Sequence, residues 1–137
     1  MKKLIILPAL LLIAGLTYGQ TLPKGSIASI HVIDISLNPD ATMNQFLDAF
    51  TKNFLDAVEE NTEGMKALLL KWDRGENENS YAYAWIFESA EARAKYFPEP
   101  DQATEAWNEV IQKVQSSIAE VIILGNWSEV YTDWVVQ

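Results

Sequence analysis

The chain has 137 residues, of which 49% are hydrophobic and 11% aromatic, and it contains no cysteine. It carries 10 basic against 19 acidic side chains, a formal net charge of -9, which argues against a nucleic-acid surface. Without cysteine there is no disulfide or thiol nucleophile, and with His31 as the single histidine the usual zinc ligands are missing as well. We therefore expect one globular domain without a metal site.

The N-terminus has the pattern of a secretory signal peptide. Lys2 and Lys3 precede an apolar run from Leu4 to Leu16, and Thr17-Tyr18-Gly19 offers a small-x-small cleavage site. A membrane anchor is the alternative, but spanning a bilayer takes about 20 residues and this run is shorter. We expect residues 1–19 to be removed and the mature protein to be exported, in a bacterium, to the periplasm or beyond. It would then have no membrane attachment.

The first half of the mature chain is predicted to form a strand, a helix and a strand, after a linker at residues 20–25. The segment Ser26–Leu37 is rich in isoleucine and valine and ends at a proline-containing turn. An apolar stripe at helical spacing, preceded by a capping box, predicts a helix over Met43–Asn61. The apolar segment Met65–Trp72 follows a glycine and predicts the second strand.

The second half repeats this order after a polar loop at residues 73–79. The loop's acidic residues do not have the spacing of a helix-flanked calcium loop, so we interpret it as a solvated hairpin tip. Ser80–Phe87 alternates strictly and predicts the third strand. A short helix capped by Ser89 follows, then a long helix over Glu105–Leu124 and a last strand over Trp127–Val136.

The resulting order, βαββαβ, predicts an α+β ferredoxin-like sandwich over residues 26–137, with both long helices on one face of a four-stranded antiparallel sheet. We expect the helices to cover the small residues of the alternating strands, namely Ala28, Ile30, Val32, Ala82, Ala84 and Ile86. The opposite face would then carry Ser29, His31, Ile33, Tyr81, Tyr83 and Trp85. An aromatic face of this kind is too apolar to remain in water. A second copy would cover it and form a two-fold homodimer.

The third strand and the segment after it resemble a known superfamily. The sequence Tyr81–Phe87 followed by Glu88–Phe97, which contains Glu-Ser-Ala-Glu-Ala-Arg, looks like that of the dimeric α/β-barrel proteins. These include antibiotic biosynthesis monooxygenases, stress-responsive barrel proteins and haem-degrading monooxygenases. The resemblance implies a ferredoxin-like protomer, a homodimeric α/β barrel and a pocket between helices and sheet or within the barrel. The superfamily shares no catalytic residues, so the resemblance assigns none here.

His31 is the candidate catalytic residue. In an apolar pocket it would act as a general base or as an axial haem ligand. The alternative is a partly buried histidine without a chemical role, because one residue does not make a catalytic constellation. Asp34 would point to the opposite face of the strand, and the sequence shows no other acid that would orient the ring.

The aromatic side chains are the candidate ligand-binding residues. They are Tyr81, Tyr83 and Trp85, with Trp72, Trp127 and Tyr131 as neighbours. They would line a pocket for a flat, apolar ligand, or else form the dimer core. We expect an exported protein that binds a small apolar or aromatic molecule. A monooxygenase acting on an aromatic substrate, either cofactor-independent or haem-linked, and an acidic interaction protein are the alternatives. The sequence leaves open whether there is catalysis or a cofactor.

Overall fold

A computed structural model describes residues 22–75 and 80–137 of the chain. The predicted signal peptide and the first two residues of the predicted linker lie outside this part, as do residues 76–79 of the predicted hairpin tip. Within the described part, no helix combines the length and apolarity needed to cross a membrane.

The described residues form a four-stranded antiparallel sheet with the order β2-β3-β1-β4. The strands are β1 (Ile27–Leu37), β2 (Met65–Lys71), β3 (Tyr81–Phe87) and β4 (Gly125–Val135). Together with helices after β1 and β3, this order is the βαββαβ arrangement that the sequence predicts. The chain therefore has the predicted α+β, ferredoxin-like fold.

The first long helix is continuous but not uniform. It consists of α1 (Met43–Phe50), a π-helical segment (Thr51–Asp56) and α2 (Ala57–Glu60). The predicted capping box is present: Thr42 accepts from the backbone N–H of residue 45, whose side chain accepts from the Thr42 backbone. The π-helical segment was not predicted. It widens the turn that carries Phe54 toward the sheet, and such segments are frequent at functional sites.

The second half contains a short helix and a long one. The short helix is α3 (Ala90–Ala94), whose N-cap Ser89 accepts from the backbone N–H of Ala92. The long helix is α4 (Glu105–Ile122), which has Thr104 as its N-cap. Its buried side chains recur at helical spacing and pack toward the first helix and the sheet.

The helices pack on the aromatic face of the sheet, which is the face opposite to the predicted one. Phe54 of the π-helical segment lies 5.8 Å from Tyr83 and 5.7 Å from Trp85, measured between ring centroids. The prediction that the helices cover the small residues, and that the aromatic face lines a barrel, is therefore wrong. The physical reason is volume, because large side chains fill the gap between a helix and a sheet to normal packing density.

The uncovered face carries the small and aliphatic residues. In register across the sheet, Val32 lies opposite Ala82 on one side and Val130 on the other. On this face Ile30 and Ile86 are at least partly buried, and the large apolar side chains exposed in the protomer are Val32, Leu68, Leu70, Val130 and Trp134. A group of exposed large apolar side chains of this kind is typical of an interface.

Candidate functional site

A cavity of about 520 Å³ lies between the helix-facing side of the sheet and the loop that precedes α4. Its floor is formed by residues of β1, β3 and β4, and one side by loop residues 97–103. Trp107, in the first turn of α4, faces the cavity from the helix layer. The volume falls within the range of small-molecule sites.

Eight of the 18 residues that line the cavity are aromatic. The ring of Trp107 lies 4.7 Å from that of Phe97 and 6.2 Å from that of Trp85. On the other side, Phe54 lies 5.4 Å from Trp127. These rings pack against one another at steep or tilted angles, and all of them line the cavity.

A row of hydrogen-bonded polar side chains crosses the floor. His31 Nδ1 lies 3.1 Å from Glu129 Oε1, and His31 Nε2 lies 3.1 Å from the Ser29 hydroxyl. Tyr83 donates its hydroxyl to Glu129 Oε2 at 2.6 Å. Because an ionised carboxylate only accepts, Nδ1 of His31 carries a hydrogen, and in the neutral ring Nε2 accepts the Ser29 proton.

The ionisation of the row follows from these contacts. Burial disfavours the charged form of Glu129, but hydrogen bonds from His31 and Tyr83 outweigh it and hold the pKa of this carboxyl below its ordinary value. Burial, together with the negative charge of Glu129, raises the pKa of Tyr83 far above that of a free tyrosine. At neutral pH the row therefore contains one carboxylate and one neutral phenol.

The imidazole ring is held on both faces. It stacks on Tyr83 at 4.5 Å and on Tyr131 at 5.2 Å between ring centroids. An axial haem ligand needs a free ring nitrogen aimed at the iron, but Glu129 and Ser29 occupy both nitrogens here. The residues present do not fit haem ligation. A base oriented by a carboxylate is what this geometry favours.

A second polar group lies at the rim. Arg93 Nη1 lies 3.2 Å from Asp133 Oδ2, and the Tyr131 hydroxyl lies 3.2 Å from Asp101 Oδ1. Asp101 has a positive φ of 59°, which a non-glycine residue adopts at some cost. These two contacts tie α3 and the loop before α4 to β4.

The cavity brings together most of the predicted site residues. His31, Tyr83, Trp85 and Tyr131 all line it. Tyr81 packs at the edge of the hydrophobic core, and Trp72, 41% exposed, donates its indole N–H to the Arg74 carbonyl beyond β2; neither belongs to the residues that line the cavity.

Sequence reasoning missed Ser29, Arg93 and Glu129 as site residues. Asp34 does point away from His31, as expected, but the prediction that no acid orients the ring is wrong, because Glu129 does so. The alternation of β4 carried the signal: Glu129 shares a face with Trp127 and Tyr131, two residues to either side.

Comparison with known proteins gives likenesses of fold. No protein-family model and no curated protein matches the chain. Among solved structures, SnoaB, a cofactor-independent oxygenase from Streptomyces nogalater, is 9% identical with a TM-score of 0.46, over 82% of this chain and 94% of that one. A nipsnap family protein of unknown function from Agrobacterium tumefaciens is 12% identical with a TM-score of 0.49, over 82% and 91% of the two chains.

A dimeric protein of unknown function and ferredoxin-like fold from Bacteroides fragilis is also similar. It is 13% identical with a TM-score of 0.44, over 82% of this chain and 97% of that one. At these identities the likenesses concern the fold, and the strand order establishes that fold independently. The strand order therefore confirms the ferredoxin-like fold that the predicted resemblance implies.

Proposed function

We propose that the protein binds a small, largely apolar molecule with a flat aromatic body in the cavity. The observation that carries this proposal is the cavity itself, which combines eight aromatic rings with a row of polar groups on its floor and charged groups at its rim. The rings would stack on the ligand, and the Ser29 and His31 groups would orient a polar substituent.

The test is a titration with a neutral aromatic probe, 1-naphthol, followed by tryptophan fluorescence. Trp85, Trp107 and Trp127 line the cavity, so occupancy should change their emission in a saturable way. Ala103→Phe places a ring at the cavity wall and should abolish saturation. Ala119→Phe, on an exposed position of α4, is the matched control and should bind like the wild type. An absent response, or an equal response in both variants, would contradict the proposal.

The orientation of His31 by Glu129 favours a second candidate function, a cofactor-independent monooxygenase. The Ser29 hydroxyl would take the proton of an aromatic hydroxyl as its own proton passes to His31 Nε2, and the resulting anion would be oxidised by dioxygen. One oxygen atom enters the product, and the other leaves as water with two hydrogens of the substrate. Oxygen uptake with dihydroxynaphthalenes should then occur in the wild type and be lost in His31→Gln. Equal uptake in both proteins would exclude this role for His31.

We also propose that the protein acts as a homodimer, with two uncovered sheet faces packed against each other. The exposed Leu68, Val130 and Trp134 side chains support this, because an apolar face of this kind is stable in water only when covered. A two-fold arrangement lets the same face serve as both halves of the interface.

Export from a bacterial cell is the remaining part of the proposal. It is supported by the leader-like sequence of residues 1–19. Full-length protein expressed in a bacterium should be recovered from the periplasm or medium with Gln20 as its first residue. Recovery from the cytoplasm with residues 1–19 still attached would overturn it.

A further inference from the structure

Ser29, His31 and Glu129 form a sequence of hydroxyl, imidazole and carboxylate. The Ser29 Oγ to His31 Nε2 distance and the His31 Nδ1 to Glu129 Oε1 distance are both 3.1 Å. Ser29 and His31 are 5% and 8% exposed, and both line the cavity. This is the arrangement of nucleophile, general base and orienting acid that recurs on unrelated folds in acyl-transfer enzymes.

Regular strand geometry holds these groups in place. Ser29 and His31 are alternate residues of β1 and therefore share a face. Glu129 belongs to β4, where it pairs with Ile33, the next residue of that face. The three side chains thus follow one line along two paired strands, and the second carboxylate oxygen of Glu129 is fixed by Tyr83. Sites built on strands are positioned more accurately than sites on loops.

The cavity that holds the serine also holds a cationic side chain. Asp133, the cross-strand partner of Ser29, accepts from Arg93 Nη1 at 3.2 Å. Arg93 lines the same cavity, and its Nε is buried without a hydrogen-bond partner within the described part of the chain. Because that Nε is closed to solvent, the carbonyl oxygen of a bound ligand would meet the rest of the Arg93 side chain, which is 31% exposed. A cation at that place also stabilises an oxyanion.

We propose that Ser29 is a nucleophile and that the cavity hydrolyses small carboxylic esters carrying an aromatic group. This rests on the binding role proposed above, and it adds a covalent step. In this step Ser29 is the catalytic nucleophile and His31 the base, while Glu129 is a positioning residue that acts through His31.

The reaction balances with water as the co-reactant. Ser29 Oγ attacks the ester carbonyl carbon as its proton passes to His31 Nε2, and the negative charge on the carbonyl oxygen faces Arg93. The carbon–oxygen bond to the alcohol then breaks, and the alcohol leaves with the proton from His31. Water attacks the acyl-serine with His31 again as base, which releases the carboxylic acid and restores the Ser29 hydroxyl.

The test uses phenylmethanesulfonyl fluoride, which carries an aromatic ring and sulfonylates activated serines. Intact mass should show one sulfonyl group per chain, and peptide mapping should place it on Ser29. Ser29→Ala should remain unmodified. Ser36→Ala, on an exposed position of the same strand, is the matched control and should be labelled like the wild type. No label, or a label on another residue, overturns the proposal.

A second measurement separates the nucleophile from the binding site. Phenyl acetate hydrolysis should fall by about 10²-fold to 10⁴-fold in Glu129→Gln, the range that an aligned general base contributes. A structural role for Glu129 alone would leave the rate per folded molecule unchanged. The 1-naphthol titration of the wild type is the separate readout of the cavity, because it needs no covalent step. If the wild type binds 1-naphthol but is neither labelled nor able to hydrolyse the ester, only the role of Ser29 as nucleophile is overturned. If the wild type does not bind 1-naphthol, the proposal of a binding cavity is overturned.

Discussion

Leu68→Lys is the sharpest test of the proposed dimer. Leu68 lies within β2 on the uncovered face, opposite Ala84 in register, and is 49% exposed in the protomer. Full burial of a leucine side chain contributes about 1.5–3 kcal/mol, so covering the exposed half contributes about 0.8–1.5 kcal/mol. In a two-fold dimer each protomer contributes one Leu68 to the interface, so the two side chains together contribute about 1.5–3 kcal/mol per dimer. The dimer Kd should therefore rise by about 10-fold to 150-fold, and desolvation of two ammonium groups raises it further.

Sedimentation equilibrium over a range of protein concentrations measures this Kd directly. We expect a dimer for the wild type and a shift toward monomer for Leu68→Lys, with an unchanged far-ultraviolet circular dichroism spectrum because the protomer leaves this side chain in solvent. Ala119→Lys, on an exposed position of α4, is the control and should dimerise normally. A wild-type monomer at tens of micromolar, or an equal Kd for Leu68→Lys and the wild type, would refute the packing argument.

Three further substitutions test the local arguments. Burial opposes the charge of Glu129, but the hydrogen bond from His31 keeps the pKa of this carboxyl below the ordinary 4.5. The ionised carboxylate therefore stabilises the folded state fully above pH 4.5, and this stabilisation is lost as pH falls through the folded-state pKa. Urea unfolding from pH 7 to pH 3 should thus show a steeper loss for wild type than for Glu129→Gln, and parallel curves would contradict this. Gly125→Ala places a Cβ 2.7 Å from the Ser36 carbonyl oxygen and should cost about 1–3 kcal/mol in the free energy of unfolding. Thr42→Ala removes the capping box and should cost about 1 kcal/mol in the same assay. An unchanged urea midpoint in either variant would refute its argument.

The order and type of the elements could be predicted because turn and capping residues mark the ends of each of them. Which face of the sheet packs against the helices could not be predicted. In β3 both faces are buried or nearly so, with Ala84 at 2% and Trp85 at 3% exposure. Alternation gives the period of a strand, but it assigns the two faces only when one of them is polar. Side-chain volume was the better guide, since aromatic rings fill the space beneath helices while small residues allow a second sheet to approach.

The candidate site was predictable only where strand alternation assigned residues to a face. His31, Tyr83 and Trp85 belong to strands with clear alternation, and the expectation that they share a surface is confirmed. Glu129 is separated from His31 by 98 positions, and their contact depends on the pairing register of β1 with β4. Alternation along β4 places Glu129 on the face of Trp127 and Tyr131, but it does not say which residue of β1 this carboxylate lies beside. The partnership of His31 with Glu129 therefore needed the three-dimensional structure.

The sheet separates the two proposed roles of the protein. Along β1, Ser29 and His31 point into the cavity, while the alternating residues, such as Val32, point to the uncovered face. A ligand and a second protomer would thus approach opposite sides of the same strands. Substitutions that weaken the dimer at Leu68 should for this reason leave the Ser29–His31–Glu129 distances intact. Labelling of Ser29 at an unchanged rate in the monomeric variant would show that each protomer holds a complete site.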